Sequence, residues 1–346
     1  MELLQLVQHL SKANGPTGYE TGAVTAAQTL LQGLVQQTTI DAMGNLIGIL
    51  PSGKDGAKRI VLDAHLDEVC LVVTGHEEGF LKVQSSFGGV DPRLLPATRV
   101  LALADPPVYG VVSCLPPHIL TAQEQEQPFD LQKLRIDCGL SQQEAQRRIP
   151  VGTPVVYTTA PSVLGRNKLC AKALDNRAGF AVLLRTLELI KGARLDADVY
   201  VVGSVQEEST ELGAAAAAFL LSPDEAIVVD ATFGNTPDSG KESTFRLGGG
   251  PTIGVGPALS RPLMKKLQAV ARAHGIAYQD EVMEGSTGTN STAIGIARNG
   301  IPCAVVSFPL RYMHTPCEVV CLDDLEAAAQ LLAHYLLQTE GGAKNA

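Results

Sequence analysis

The chain has 346 residues, with 27 Lys and Arg against 36 Asp and Glu, a net charge of −9, and 45% hydrophobic residues. That length accommodates one large domain or two of medium size with a substantial core. The acidic balance, with no Lys/Arg-rich run, no aromatic stripe and no Trp, excludes a nucleic-acid-binding surface, and no run of about 18 uncharged apolar residues predicts a membrane span.

The N-terminal MELLQLVQHLSKANG lacks a basic segment and a cleavage-like end, and reads as an amphipathic helix rather than a signal peptide. A second helical pattern follows in TGAVTAAQTLLQGLVQQ, where Val24, Leu30, Leu31 and Leu34 recur at helical spacing. NLIGIL and RIVLDAH read as strands. Residues 70–162 change character. Short strand-like runs (FLKVQS, TRVLALA, YGVVSCL, LRIDCG, PVVYTT) are broken by Pro and Gly, with one short helix near SQQEAQRRI, which predicts a small β-rich barrel or sandwich.

From Ser162 onward strands and helices alternate. LDNRAGFAVLLRTLELIKG is a helix with Phe180, Leu183, Leu184, Leu187 and Ile190 on one face and Gly192 as its stop. The strand DVYVVGSV, the helix ELGAAAAAFLL and the strand EAIVVDAT follow. GGGPTIGVG reads as a turn before a strand, and SRPLMKKLQAVARAHG as a helix with Pro262 in its first turn. CAVVSFPL is a strand, LDDLEAAAQLLAHYLLQ a closing helix and TEGGAKNA a frayed tail. The expected fold is α/β, a mostly parallel sheet flanked by helices. Its domain would be discontinuous, residues 1–69 and 163–346, with a β-rich barrel domain inserted at 70–162. The seven cysteines are scattered and odd in number, and most stand in apolar contexts, as Cys303 does in IPCAVVSF. They read as reduced, buried thiols of a cytoplasmic protein. The CxxxC spacing of Cys317 and Cys321 has no second pair and is not read as a zinc site.

The strand ends carry residues that a core strand has no reason to hold. IVLDAHLDE ends on His65 and Asp67, YVVGSVQEES on Glu207 and Glu208, AIVVDAT on Asp230 and VSFPLRYMHTP on His314, while Asp175 opens the helix LDNRAGF. In open parallel sheets, ligands bind beyond the carboxyl ends of the strands. Each residue alone has an ordinary reading as a cap, a turn or a packed side chain. Together, several carboxylates without a Lys or Arg among them would repel one another unless cations neutralised them, and two divalent ions answer that need. His65 and Asp67, two apart on an extended segment, face the same way. Asp67 can therefore hold the second ring nitrogen of His65 or cap the next turn. Of the adjacent Glu207 and Glu208, one can ligate while the other stays free as a base.

With these motifs in place, the sequence resembles the glutamyl-aminopeptidase/tetrahedral (TET) aminopeptidase family of co-catalytic metallopeptidases, some of whose members are called cellulase M. AHLDEVC is similar to the family's AHxDEVG, GVVSCLPPHIL to GxxGxxPPH, GRNKLCAKALDNRAG to its DxRxG region, and VQEEST to xxEExG. GTNSTAIGIARNGIPCAVVSFPLRYMHTPCEVV is similar to the segment ending in RYxHxxxEVV. The resemblance implies a zinc-peptidase-like α/β domain with a β-rich insertion. It implies two metal ions per subunit, zinc or cobalt, although the ligands alone would also admit manganese. It makes Asp175 the bridging carboxylate, with His65 and Asp230 on one ion and Glu208 and His314 on the other. It makes Glu207 the base acting on a bridging water and Asp67 the residue orienting His65. It further implies short peptide substrates trimmed from their N-termini, and a homo-oligomer of the tetrahedral dodecamer type. Two departures stand out. Asn290 replaces the Asp of the family's GTD, which would alter recognition if that Asp holds the substrate's α-ammonium, and Ser209 and Thr210 follow the Glu pair. Two other readings share the ligand set: a two-metal deacylase of N-acyl amino acids, and a catalytically silent scaffold.

Overall fold

The computed structural model describes residues 1–85, 89–121, 130–240 and 242–338; the tail expected to fray, 339–346, lies outside them. Four parallel strands form the centre: Ala197–Ser204, Lys58–His65, Glu225–Phe233 and Cys303–Arg311, side by side in that order. Their apolar runs are continuous because both faces are covered. Ile60 and Leu62 face a core shared with the helices Leu3–Lys12, Thr21–Leu31, Leu174–Leu189, Arg261–Ala273 and Leu322–Leu337. Val61 faces a thinner core under Leu212–Leu221 and Ser291–Gly295, where Ala214, Ala217 and Ala218 allow close approach. Antiparallel strands extend both edges: Leu46–Leu50 and Gln37–Ile40 on one side, Glu318–Cys321, Lys168–Ala171 and Ser162–Leu164 on the other. The sheet is therefore parallel at its centre and mixed as a whole.

Six more strands, Leu71–Glu77, Phe80–Ser85, Arg135–Asp137, Val108–Val112, Arg99–Ala102 and Pro154–Tyr157, close in that order into a barrel around Val73, Leu81, Val100, Ile136 and Val155. The helix Gln142–Arg148 beside it starts with a capping box between Ser141 and Glu144. Among the described residues no helix is long and apolar enough to cross a membrane.

Two local expectations change. The second helix stops at Leu31 instead of continuing through Leu34: Gln32 turns extended (ψ 131°) and Gly33 follows with a left-handed φ of 77°, a conformation glycine adopts freely. None of the seven cysteines forms a disulfide, but burial holds only for Cys70, Cys303 and Cys321. Cys114 and Cys317 are exposed because they stand in Pro-containing loop segments, not in strands.

Candidate metal centre

Because the four central strands run the same way, their carboxyl ends gather at one edge of the sheet. His65 closes its strand and pairs in register with Ser204, two residues before Gln206 and the short helix Glu207–Thr210. Asp230 lies near the end of the next strand, opposite Ser307. His314 follows three residues after Arg311, in the turn leading to Glu318. Asp175 sits in the first turn of Leu174–Leu189, where its backbone departs from helical geometry (φ −76°, ψ 107°) and turns the side chain away from an ordinary cap position. Ala173, Gln206 and His314 all hold φ between 53° and 62°, uncommon for residues with a Cβ. Clustering of such backbone strain is characteristic of functional sites.

The side chains converge. His65 is 1% exposed. Its Nε2 lies 3.2 Å from Asp175 Oδ1 and 3.7 Å from both Glu207 Oε2 and Asp230 Oδ1. Its Nδ1 lies 3.3 Å from Asp67 Oδ1. His314 Nε2 lies 3.5 Å from Asp175 Oδ2 and 3.2 Å from Glu208 Oε2. Asp175 thus stands between two imidazoles with one oxygen toward each. Ligand atoms of His65, Glu207 and Asp230 lie within 4.8 Å of one another, as do those of His65, Asp175 and Glu208.

The electrostatics follow from this crowding. Burial pushes the Glu207 carboxyl up to about 10 against the pull of His65, with Asp230, Glu208 and Asp175 adding to the rise. Burial raises Glu208 and Asp230 as well, Asp230 well above the usual carboxylate range. Burial would also raise Asp175, but hydrogen bonding to His314 and His65 outweighs it and holds that carboxyl low. Burial would lower both histidines. Asp175 and Glu208 instead carry His314 up to about 11, and Glu207, Asp175 and Asp67 carry His65 well above its ordinary value. Without cations, then, the cluster is held together by protons. Divalent ions would replace those protons and remove the like-charge cost. Asp230 Oδ2 is buried with no hydrogen-bond partner, an orphan atom suited to a ligand role. The donor set of imidazoles and carboxylates fits zinc, cobalt or manganese.

Sequence reading missed several contributors. Asp67 does more than face His65: its Oδ1 and Oδ2 accept the Glu207 and Glu208 amides, each at 3.1 Å. Glu318, quoted in the EVV segment without a role, is buried. It accepts the Leu174 amide at 2.6 Å and the Asp175 amide at 3.1 Å through Oε2, and the His314 amide at 2.8 Å through Oε1. Gly89 packs so tightly on His314 that a Cβ there would meet Nδ1 at 2.5 Å, a contact no local pattern announces. Asn290 is fully buried and donates at 2.9 Å to both Asp63 Oδ2 and Ser204 Oγ. That position is closed to solvent, with its amide group engaged by Asp63 and Ser204.

Residues 44–331 match the M42 glutamyl aminopeptidase family. The chain is 29% identical to the lysyl aminopeptidase of Pyrococcus furiosus, over 94% of each chain. It superposes on a TET aminopeptidase of the Thaumarchaeota archaeon SCGC AB-539-E09 with a TM-score of 0.92 and 27% identity, covering 98% of this chain and 97% of the other. It superposes on the Pyrococcus horikoshii TET1 peptidase, which can assemble into a tetrahedron or a large octahedral shell, with a TM-score of 0.86 and 27% identity over 98% and 100%.

Proposed function

The chain belongs to the M42 glutamyl aminopeptidase family and is a metallo-aminopeptidase, and from that premise we propose that it hydrolyses the N-terminal residue of short peptides with two divalent ions per subunit. Asp175, His65 and Asp230 would hold one ion, and Asp175, Glu208 and His314 the other. When bound, such ions polarise the scissile carbonyl and lower the pKa of water from 15.7 to about 7. Glu207 takes the proton of the attacking water and delivers it to the leaving amine. Asp67 orients His65 and, through the two amides it accepts, holds the Glu pair at its post. The supporting observation is the pair of distances from Asp175, 3.2 Å to His65 and 3.5 Å to His314 from opposite oxygens.

Glu207 also lies within ligand range of His65 and Asp230, so its variant tests the assignment. Glu207→Gln should lower turnover of aminoacyl arylamides by about 10²–10⁴-fold while metal analysis still finds two equivalents. Unchanged cleavage would remove Glu207 as the base, and loss of one equivalent would make it a ligand. Stripping the metals and restoring zinc, cobalt or manganese should abolish and then return activity. Turnover of N-acetyl amino acids alone would favour the deacylase reading. We further propose a cytoplasmic homo-oligomer of the tetrahedral dodecamer type. Phe219 and Leu220 on the helix Leu212–Leu221 and Ile296 just past the neighbouring helix Ser291–Gly295, 60%, 61% and 79% exposed, are candidates for its contacts, and the mass in solution tests it.

A further inference from the structure

The segment Gly15–Glu20 (GPTGYE) reaches the back of the site from the far end of the chain. It runs beside Glu68: Pro16 and Glu68 form a parallel bridge, the Glu68 amide donates to Gly15 O at 3.1 Å, and the Thr17 amide donates to Glu68 O at 3.2 Å. From that anchorage Thr17 Oγ1 donates to Asp67 Oδ2 at 2.8 Å. Glu20, 7% exposed, turns its Oε1 to accept the Gly18 amide at 2.6 Å and the Gln206 amide at 3.2 Å.

Three consecutive amides, of Gln206, Glu207 and Glu208, therefore each end on a carboxylate: Glu20 for the first and Asp67 for the other two. Asp67 has one oxygen on each of its amides, and the Gln206 amide is met by Glu20. Gln206 is left-handed (φ 61°, ψ 27°), a conformation that persists in such a residue only when its surroundings hold it. Releasing it would redirect the two side chains that follow.

We propose that Glu20, with Thr17 behind Asp67, is a positioning residue that holds Gln206–Glu208 so that the Glu207 carboxylate faces His65 and Asp230. The catalytic consequence rests on the function proposed above; the structural one does not. Both bonds to Glu20 fall on one oxygen, so an amide oxygen can replace it. The acceptor is required and the charge is not.

The test uses the full metal-reconstituted chain and the aminoacyl p-nitroanilide that it cleaves fastest. Glu20→Ala should lower kcat on the order of 100-fold, the cost of a misplacement of about 1 Å, with KM nearly unchanged and two equivalents of metal retained. Glu20→Gln should stay within a few-fold of the parent. Hydrogen exchange supplies a readout free of any substrate: the peptide spanning 206–208 should lose protection in Glu20→Ala and keep it in Glu20→Gln. Thr17→Val should weaken protection of the same peptide, and Thr17→Ser should not. Wild-type kcat or unchanged protection in Glu20→Ala overturns the proposal, as does a Glu20→Gln variant as impaired as Glu20→Ala. Loss of activity that tracks loss of metal also overturns it. A parent chain inactive on every substrate would refute the aminopeptidase reading, while the exchange pattern would still decide the clamp.

Discussion

Glu318→Gln isolates what one buried carboxylate contributes to the second histidine. Glu318 accepts three amides: Leu174 and Asp175 on Oε2, His314 on Oε1. Glutamine has one acceptor oxygen. Its better orientation keeps the two bonds to Leu174 and Asp175 and turns its NH₂ toward the His314 amide, donor against donor. The His314 amide is left without its acceptor, at a cost of about 1–3 kcal/mol. His314 then loses the contact holding it at φ 62°, a conformation that costs about 1–3 kcal/mol when unsupported. The expected result is a fall of about 1–3 kcal/mol in the denaturant-derived stability of the metal-free protein. One ion, the one assigned to His314, should be bound about 10–100-fold more weakly, while the ion assigned to His65 and Asp230 keeps its affinity. Urea titration and metal titration by calorimetry measure the two effects. A variant with parental stability and two equally tight ions would refute the reasoning, because Glu318 would then be a bystander to the turn.

Asn290→Asp should place a second carboxylate 2.9 Å from Asp63 Oδ2. Burial already pushes Asp63 up to about 6, eased by donors from Asn290 and Ser204. The substitution should cost about 3–5 kcal/mol at pH 8 and less at pH 5, and Asp63→Asn in the same chain should restore most of it; thermal melts at the two pH values check both. The metal-free protein should also lose stability as pH rises. Glu207 stays protonated in the fold up to about 10 but ionises near 4.5 when unfolded, and His314 keeps its proton up to about 11 against 6.5. In both cases the folded state binds more protons, so their contribution is present below the unfolded value and is lost through the window up to the folded one. Melting temperature should fall from pH 6 to pH 9 in the stripped protein and change far less with metal bound; parallel curves would refute it.

The placement of the site could be read from local pattern. Strand ends of a parallel sheet converge whatever else the fold does, so His65, Asp230, His314 and the Glu pair had to meet at one edge once the strands were recognised. Asp175 was visible as an acid opening a helix, although its departure from helical geometry was not. The inserted barrel announced itself by short strands broken by Pro and Gly, but the strand Leu71–Glu77, with its bulge between Val73 and Gly75, merged into the acid run before it.

Periodicity and residue chemistry, both local, were enough for the α/β class, the barrel and the ring of would-be ligands, because burial of apolar faces and the repulsion of like charges constrain each segment wherever it lies. The supports of the site belong to tertiary closure alone. Glu318 meeting the amides of Leu174 and His314, and Glu20 meeting that of Gln206, are contacts to backbone atoms that any sequence offers in the same form. An amide carries no mark in the sequence, so only the folded chain decides which carboxylate will hold it.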